Sequence, residues 1–94
     1  MAEKFMITIK FSKAFERAYK KLIKRNPEKA ISILEKILLF QHNPQHQSLT
    51  THKLTGTLSH LNAFKVEYDL RVIFSWYNST EVILEDIGTH DEVY

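Results

Sequence analysis

The feature that most constrains this chain is a change in the spacing of its apolar residues near residue 50. Apolar residues three and four apart share a face only in a helix, and those two apart only in a strand. From Ser12, a natural N-cap, the residues Phe15, Ala18, Tyr19, Leu22 and Ile23 follow the helical spacing, while Lys13, Arg17, Lys20, Lys21 and Lys24 fall on the other faces. The spacing predicts an amphipathic helix with a basic outer side. Asn26-Pro27 signals a second start, with Asn26 as N-cap, Pro27 at the first helical position and Glu28 in the favourable first turn. That helix is expected to run to about Gln41 and to bury Ile31, Leu34, Ile37 and Leu38, with Ala30, Ile33 and Phe40 widening the stripe. The two helices form a short hairpin.

Strand patterns flank this hairpin. Met6 to Lys10 reads as one strand, and Thr51 to Thr55, Leu61 to Glu67, Leu70 to Tyr77 and Thr80 to Ile87 as four more. The turns near Gly56, Tyr68-Asp69 and Asn78-Ser79 are short, and short connections make neighbouring strands antiparallel. The expected fold is α+β, in the order β-α-α-β-β-β-β, with the helical hairpin on one side of a mostly antiparallel sheet and a single domain over residues 1–94. Phe64, Phe74 and Trp76 are assigned to the core. The polar segment His42 to Ser48 is a loop, since Pro44 between His42 and His46 argues against a helix that would present them as a metal pair.

Cysteine is absent, which removes disulfides and thiolate zinc sites and fits a reducing compartment. The opening residues lack an apolar leader segment, and the longest fully apolar run, Ile37 to Phe40, is far short of a membrane span, so a cytoplasmic protein is expected. The net charge of +2 hides an asymmetry: residues 1–36 balance to +6 and residues 37–94 to −4. A basic half suits a polyanionic partner, and it equally suits a solvated helix face.

The strand pattern places Lys65 and Arg71 on the sheet face opposite the helices. Gly88 lets the chain turn out of the sheet, which puts His90 at an edge or mouth. His52, Lys53, Asp69 and Tyr94 complete a polar group drawn from separate segments. No phosphate-binding glycine loop, nucleophile triad or carboxylate-rich metal motif competes with it. Two imidazoles, a carboxylate, three cations and a phenol suit metal-free RNA cleavage, in which a 2′-hydroxyl attacks the neighbouring phosphate. A base takes the hydroxyl proton, cations stabilise the phosphoryl oxygens and an acid protonates the leaving oxygen. Most of these residues, His90 excepted, also have an ordinary role available. His52 and Lys65 could be exposed strand residues, Asp69 a turn residue, Arg71 an ion-pair partner of Glu67 or Asp69, and Tyr94 an aromatic packed on the sheet.

Three segments carry a family resemblance: His52-Lys53-Leu54-Thr55-Gly56, Phe64 through Phe74, and Ile87-Gly88-Thr89-His90-Asp91-Glu92-Val93-Tyr94. Together they resemble the RelE/ParE superfamily of bacterial toxins, and within it the RelE and YafQ-like mRNA interferases, over nearly the whole chain. The resemblance implies a toxin that cleaves mRNA in the ribosomal A site without a metal or other cofactor, and that a cognate antitoxin silences. It matches His52, Asp69, His90 and Tyr94 to YafQ-like positions, and Lys53 and Arg71 to basic positions of the RelE branch. Lys65 stands where the YafQ pattern has a histidine. With that resemblance His90 is expected as the general acid, with His52 and Asp69 competing as base, Arg71 and Tyr94 completing the catalytic set, and Lys53 and Lys65 binding phosphate. The alternative is a ParE-like protein that inhibits DNA gyrase by contact alone, for which the histidines are dispensable and the helical hairpin is not.

Overall fold

The computed structural model of the protein describes residues 6–94. Residues 1–5, which belong to the opening segment read above for a leader, lie outside them. In chain order the described residues form strand β1 (Thr8–Phe11), helices α1 (Lys13–Arg25) and α2 (Lys29–His42), strands β2 (His52–Lys53), β3 (Asn62–Glu67), β4 (Leu70–Trp76) and β5 (Glu81–Gly88), and a one-turn helix α3 (His90–Val93). The strand order across the sheet is β1-β5-β4-β3-β2. β1 runs parallel to β5, and the remaining pairs are antiparallel. The expected order of elements is therefore present, with α3 added at the end. β2 is shorter than expected, since Thr50 before it takes a left-handed backbone and the chain beyond Thr55 bends into a 3-10 turn.

Ser12 caps α1 as its residue type predicts. Its hydroxyl accepts from the Phe15 N–H at 3.0 Å and donates to the Glu85 carbonyl at 3.1 Å, so the same side chain starts the helix and ties it to β5. Asn26 has the opposite role from the one expected. Its backbone N–H donates to Leu22 O at 3.0 Å, closing α1, and Asn26-Pro27-Glu28 is the turn between the helices. α2 begins only at Lys29, without a side-chain cap.

The buried face of α2 also corrects the expectation. Ile31, Leu34 and Leu38 are 68%, 56% and 46% exposed, whereas Ile33 and Phe40 are buried in the core. Apolar residues lie around most of this helix, so spacing alone leaves its rotation open. Polar contacts accompany the burial of one face. Lys29 and Ser32 both donate to the Glu67 carboxylate, at 2.6 and 3.1 Å, and the Gln41 amide donates to Ile7 O at 3.0 Å. Lys29 lies in phase with Ile33, Ile37 and Phe40, Ser32 and Gln41 flank that side, and all three tie it to the sheet. Phe40 then packs against Phe64 and Phe74 with ring centroids 4.5 and 4.7 Å away. Ile7, Phe15, Leu49, Val72, Val82 and Leu84 complete the core around these rings. Trp76, expected inside, is 40% exposed at the end of β4, where it meets Phe74 edge-on.

Glu67 reaches α2 because of a β-bulge. The β3–β4 register shifts between Lys65 and Glu67, leaving Val66 unpaired. Simple alternation puts Glu67 on the face of Lys65, but the bulge turns it to the helices. The Lys29 ammonium beside Glu67 holds its carboxyl below the ordinary value, and Glu67 in turn raises the Lys29 amine. A depressed carboxyl stabilises the fold above its unfolded pKa and loses that contribution as pH falls through the folded value. A raised amine contributes below its unfolded pKa and loses it on the alkaline side. The pair is thus expected to stabilise between about pH 4.5 and about pH 10.5, the two groups' ordinary values. Urea unfolding of wild type and Glu67→Gln checks this. The midpoints should differ at neutral pH and converge as the pH drops below 4.5.

Candidate active site on the open sheet face

Strand register brings the expected residues together. Lys65 on β3 pairs with Arg71 on β4, Arg71 pairs with Gly88 on β5, and His52 on β2 pairs with Ala63 on β3. Ala63, Lys65 and Arg71 alternate with the core residues Phe64 and Val72, so this row faces away from the helices. A cleft of about 340 Å³ opens at its end, lined by Lys65, Tyr68, Asp69, Arg71 and His90. Lys53 is the exception within the expected set. It pairs with Asn62, which is in phase with Phe64, and so falls on the other side of β2 from His52.

Arg71 is anchored through one nitrogen. Its Nη1 donates to Glu67 O at 2.8 Å and Tyr68 O at 2.9 Å, with a longer contact to Leu70 O. Binding these carbonyls braces the turn that carries Tyr68 and Asp69. The ion pair with Glu67 or Asp69 weighed for Arg71 does not form. Glu67 is held by Lys29, and Nε and Nη2 of Arg71 have no partner among the described residues.

The Nδ1 of His52 lies 2.8 Å from the Thr50 carbonyl, which can only accept, so Nδ1 carries a proton and, in the neutral ring, the lone pair is on Nε2. That lone pair faces the Tyr94 hydroxyl at 3.4 Å, a long hydrogen bond. Partial burial pushes the Tyr94 phenol up, against the opposing pull of the Arg71 charge, so near neutrality it is an O–H donor. The Tyr94 ring also meets the His90 imidazole edge-on at 4.4 Å between centroids. Tyr94 therefore stands between the two histidines. His90 is itself exposed, as expected, with Asp91 Oδ1 3.7 Å from its Nδ1.

The segment after Gly88 is a helical turn where the sequence reading had only a departure from the sheet. Gly88 is not in a left-handed conformation, so its backbone freedom is not the reason for glycine there. A Cβ at this position would lie 3.0 Å from Glu92 Oε1 and 3.1 Å from Val93 Cγ1, so a larger residue would crowd the α3 side chains where they fold back onto β5. The spacing Thr89-x-x-Glu92 is a capping-box signature that could have revealed this helix. Tyr68, 93% exposed beside the cleft, is the other residue sequence reasoning passed over, having been treated only as part of a turn. His42 and His46 make separate contacts, with Leu38 O and Ser48, and among the described residues no three His, Asp or Glu side chains gather as a metal-binding group.

This sheet and helical hairpin make up the fold of the YafQ and YoeB/ParE toxins. YafQ in the E. coli DinJ-YafQ toxin-antitoxin complex aligns over 95% of this chain and 98% of its own, with TM-score 0.76 and 19% identity. A metal-bound toxin from Helicobacter pylori aligns over 95% of this chain and 100% of its own, with TM-score 0.74 and 25% identity. A YoeB/ParE toxin from Agrobacterium tumefaciens aligns over 89% of this chain and 99% of its own at TM-score 0.73, with only 9% identity. No sequence among curated proteins is similar enough to count as a match. Residues 7–94 match the family described as bacterial toxin of type II toxin-antitoxin system, YafQ, and the chain belongs to that family.

Proposed function

We propose that this toxin is a metal-independent endoribonuclease that cleaves mRNA in the ribosomal A site. The observation that carries the reading is the His52–Tyr94–His90 group beside the cleft that holds Lys65 and Arg71. In this mechanism the scissile phosphate sits against Lys65 and the free nitrogens of Arg71. A base removes the 2′-hydroxyl proton, the oxygen attacks phosphorus, and the bond to the 5′-oxygen breaks as His90 donates its proton to that oxygen. The products are a 2′,3′-cyclic phosphate and a 5′-hydroxyl. His52, whose Nε2 can accept a proton, is the base in this reading, and Asp69, exposed on the turn at the cleft, is its competitor. Lys65 and Arg71 stabilise the charge that grows on the phosphoryl oxygens, where one aimed donor is worth about 3 kcal/mol. Tyr94 orients His52 and offers a ring for a base to stack on. Lys53 adds positive charge from the far side of β2.

The outer side of α1 has a role in the same reading. Lys13, Arg17, Lys20, Lys21, Lys24 and Arg25 are all exposed and would hold the protein against ribosomal RNA, with an affinity that falls as salt rises. An apolar groove of about 250 Å³ between the helices, lined by Phe11, Phe15, Tyr19, Ile33, Leu34 and Ile37, suits a cognate antitoxin segment that orders on binding. The toxin is taken to act as one domain in the cytoplasm; no helix among the described residues is long and apolar enough to cross a membrane.

Primer extension on a message in a reconstituted translation system tests the proposal. Discrete cuts at A-site codons that persist in EDTA are expected, with little cleavage of the same RNA when ribosomes are omitted. An intact message together with inhibition of DNA gyrase supercoiling would replace the nuclease with the ParE-like reading.

A further inference from the structure

His90 and Tyr94 face each other only because residues 90–93 are helical. Residues four apart stack on one face of a helix, about 6 Å apart in rise, but in an extended chain they are separated by roughly 13 Å. A helix of four residues does not form by itself, since isolated helices need about 12 residues or more. Something local must close this one.

The capping box does so. The Thr89 N–H donates to Glu92 Oε1 at 2.8 Å, and the Glu92 N–H donates to Thr89 Oγ1 at 3.3 Å. The same Oε1 lies 3.0 Å from where a Cβ of Gly88 would stand, so the carboxylate packs closely against the end of β5. From across a cleft of about 340 Å³, Lys21 and Arg25 of α1 face this group. The Thr89 N–H and hydroxyl, with these two cations, hold the Glu92 carboxyl below its ordinary value, so it is ionised at neutral pH. Glu92 is exposed and lines a different cleft from the one that holds Lys65 and Arg71.

We infer that Glu92 is a positioning residue of the site: by closing the α3 turn over Gly88 it sets the His90–Tyr94 contact, and hence the placement of both rings beside the cleft. The part of this inference that concerns activity rests on the nuclease reading. The part that concerns geometry does not.

The experiment follows the His90 and Tyr94 ring protons by NMR in wild type, Glu92→Ala and Glu92→Gln, alongside thermal unfolding and the A-site cleavage assay. In wild type the edge-on contact is expected to give ring-to-ring cross-peaks and ring-current-shifted imidazole protons. Glu92→Ala should lose both, keep the β3–β5 amide spectrum and the unfolding midpoint, and cut at least tenfold more slowly at saturating ribosome–mRNA concentration. Glu92→Gln should restore contact and rate, because an amide oxygen accepts the Thr89 N–H as well as a carboxylate does. Retention of the His90–Tyr94 contact in Glu92→Ala overturns the inference, as does loss of the contact in Glu92→Gln. If wild type shows the contact, Glu92→Ala loses it and neither cuts RNA, the positioning role stands and the nuclease reading falls.

Discussion

His90→Ala is expected to slow A-site cleavage by about a hundred- to ten-thousand-fold, the range a positioned general acid supplies, and to leave the fold intact. The two halves of that expectation have separate grounds. The imidazole is 60% exposed, and its contacts are an edge-on meeting with Tyr94 and a 3.7 Å approach to Asp91. None of the buried core depends on it, so removing it should move stability by no more than about 0.5 kcal/mol. In the proposed mechanism His90 is the acid, and it is the one imidazole among the residues that line the cleft with Lys65, Arg71, Asp69 and Tyr68. Primer extension with the variant, at protein concentrations matched to wild type, gives the rate, and circular dichroism with thermal unfolding gives the fold. Cleavage at the wild-type rate would remove His90 from the mechanism and return the acid role to an unassigned group.

Phe40→Ala is expected to destabilise the protein by about 3–5 kcal/mol, a large share of the roughly 5–15 kcal/mol that holds a domain of this size together. Phe40 is fully buried and is the ring on which Phe64 and Phe74 converge, the first stacked and the second edge-on. Its removal takes away the transfer energy of a phenyl group and leaves a cavity between α2 and the sheet, where two rigid rings cannot close the gap. The informative control lies on the same helix. Ile31→Ala removes a large aliphatic side chain that is 68% exposed, and should cost no more than about 0.5 kcal/mol. Urea denaturation of both variants reads the rotation of α2 directly. If Ile31 were the costlier position, the helix would be packed on the face that apolar spacing first suggests.

That helix shows where sequence reasoning stops. The existence of α2 and its place after α1 were legible from spacing and from the Asn26-Pro27 break. Its rotation was not, because Ile31, Leu34 and Leu38 are as apolar as Ile33, Ile37 and Phe40. Asn26 was misassigned for a related reason: an asparagine satisfies a helix start and a helix end equally well by type, and only its N–H bond to Leu22 O decides between them. On the sheet, alternation put Lys65 and Arg71 on the open face as expected. The same rule misplaced Glu67, because a single unpaired residue, Val66, reverses every orientation beyond it.

The candidate site divides in the same way. The residue types that suit RNA cleavage, and their matches to a toxin family, were present in the linear chain. That His52 turns Nε2 toward Tyr94, that Arg71 is braced by its own turn, and that Lys53 lies across the strand from His52 all depend on partners distant in space or on strand register. By itself, then, the sequence determined which elements form, in what order, and which chemistry the polar residues could supply, because propensity, apolar period and turn residues act over a few neighbouring positions. Only the tertiary structure decided which face of α2 is buried, which way Glu67 points and how Tyr94 comes between two histidines 38 positions apart in the chain. Those outcomes are set by contacts between segments, and the local pattern is equally compatible with the alternatives.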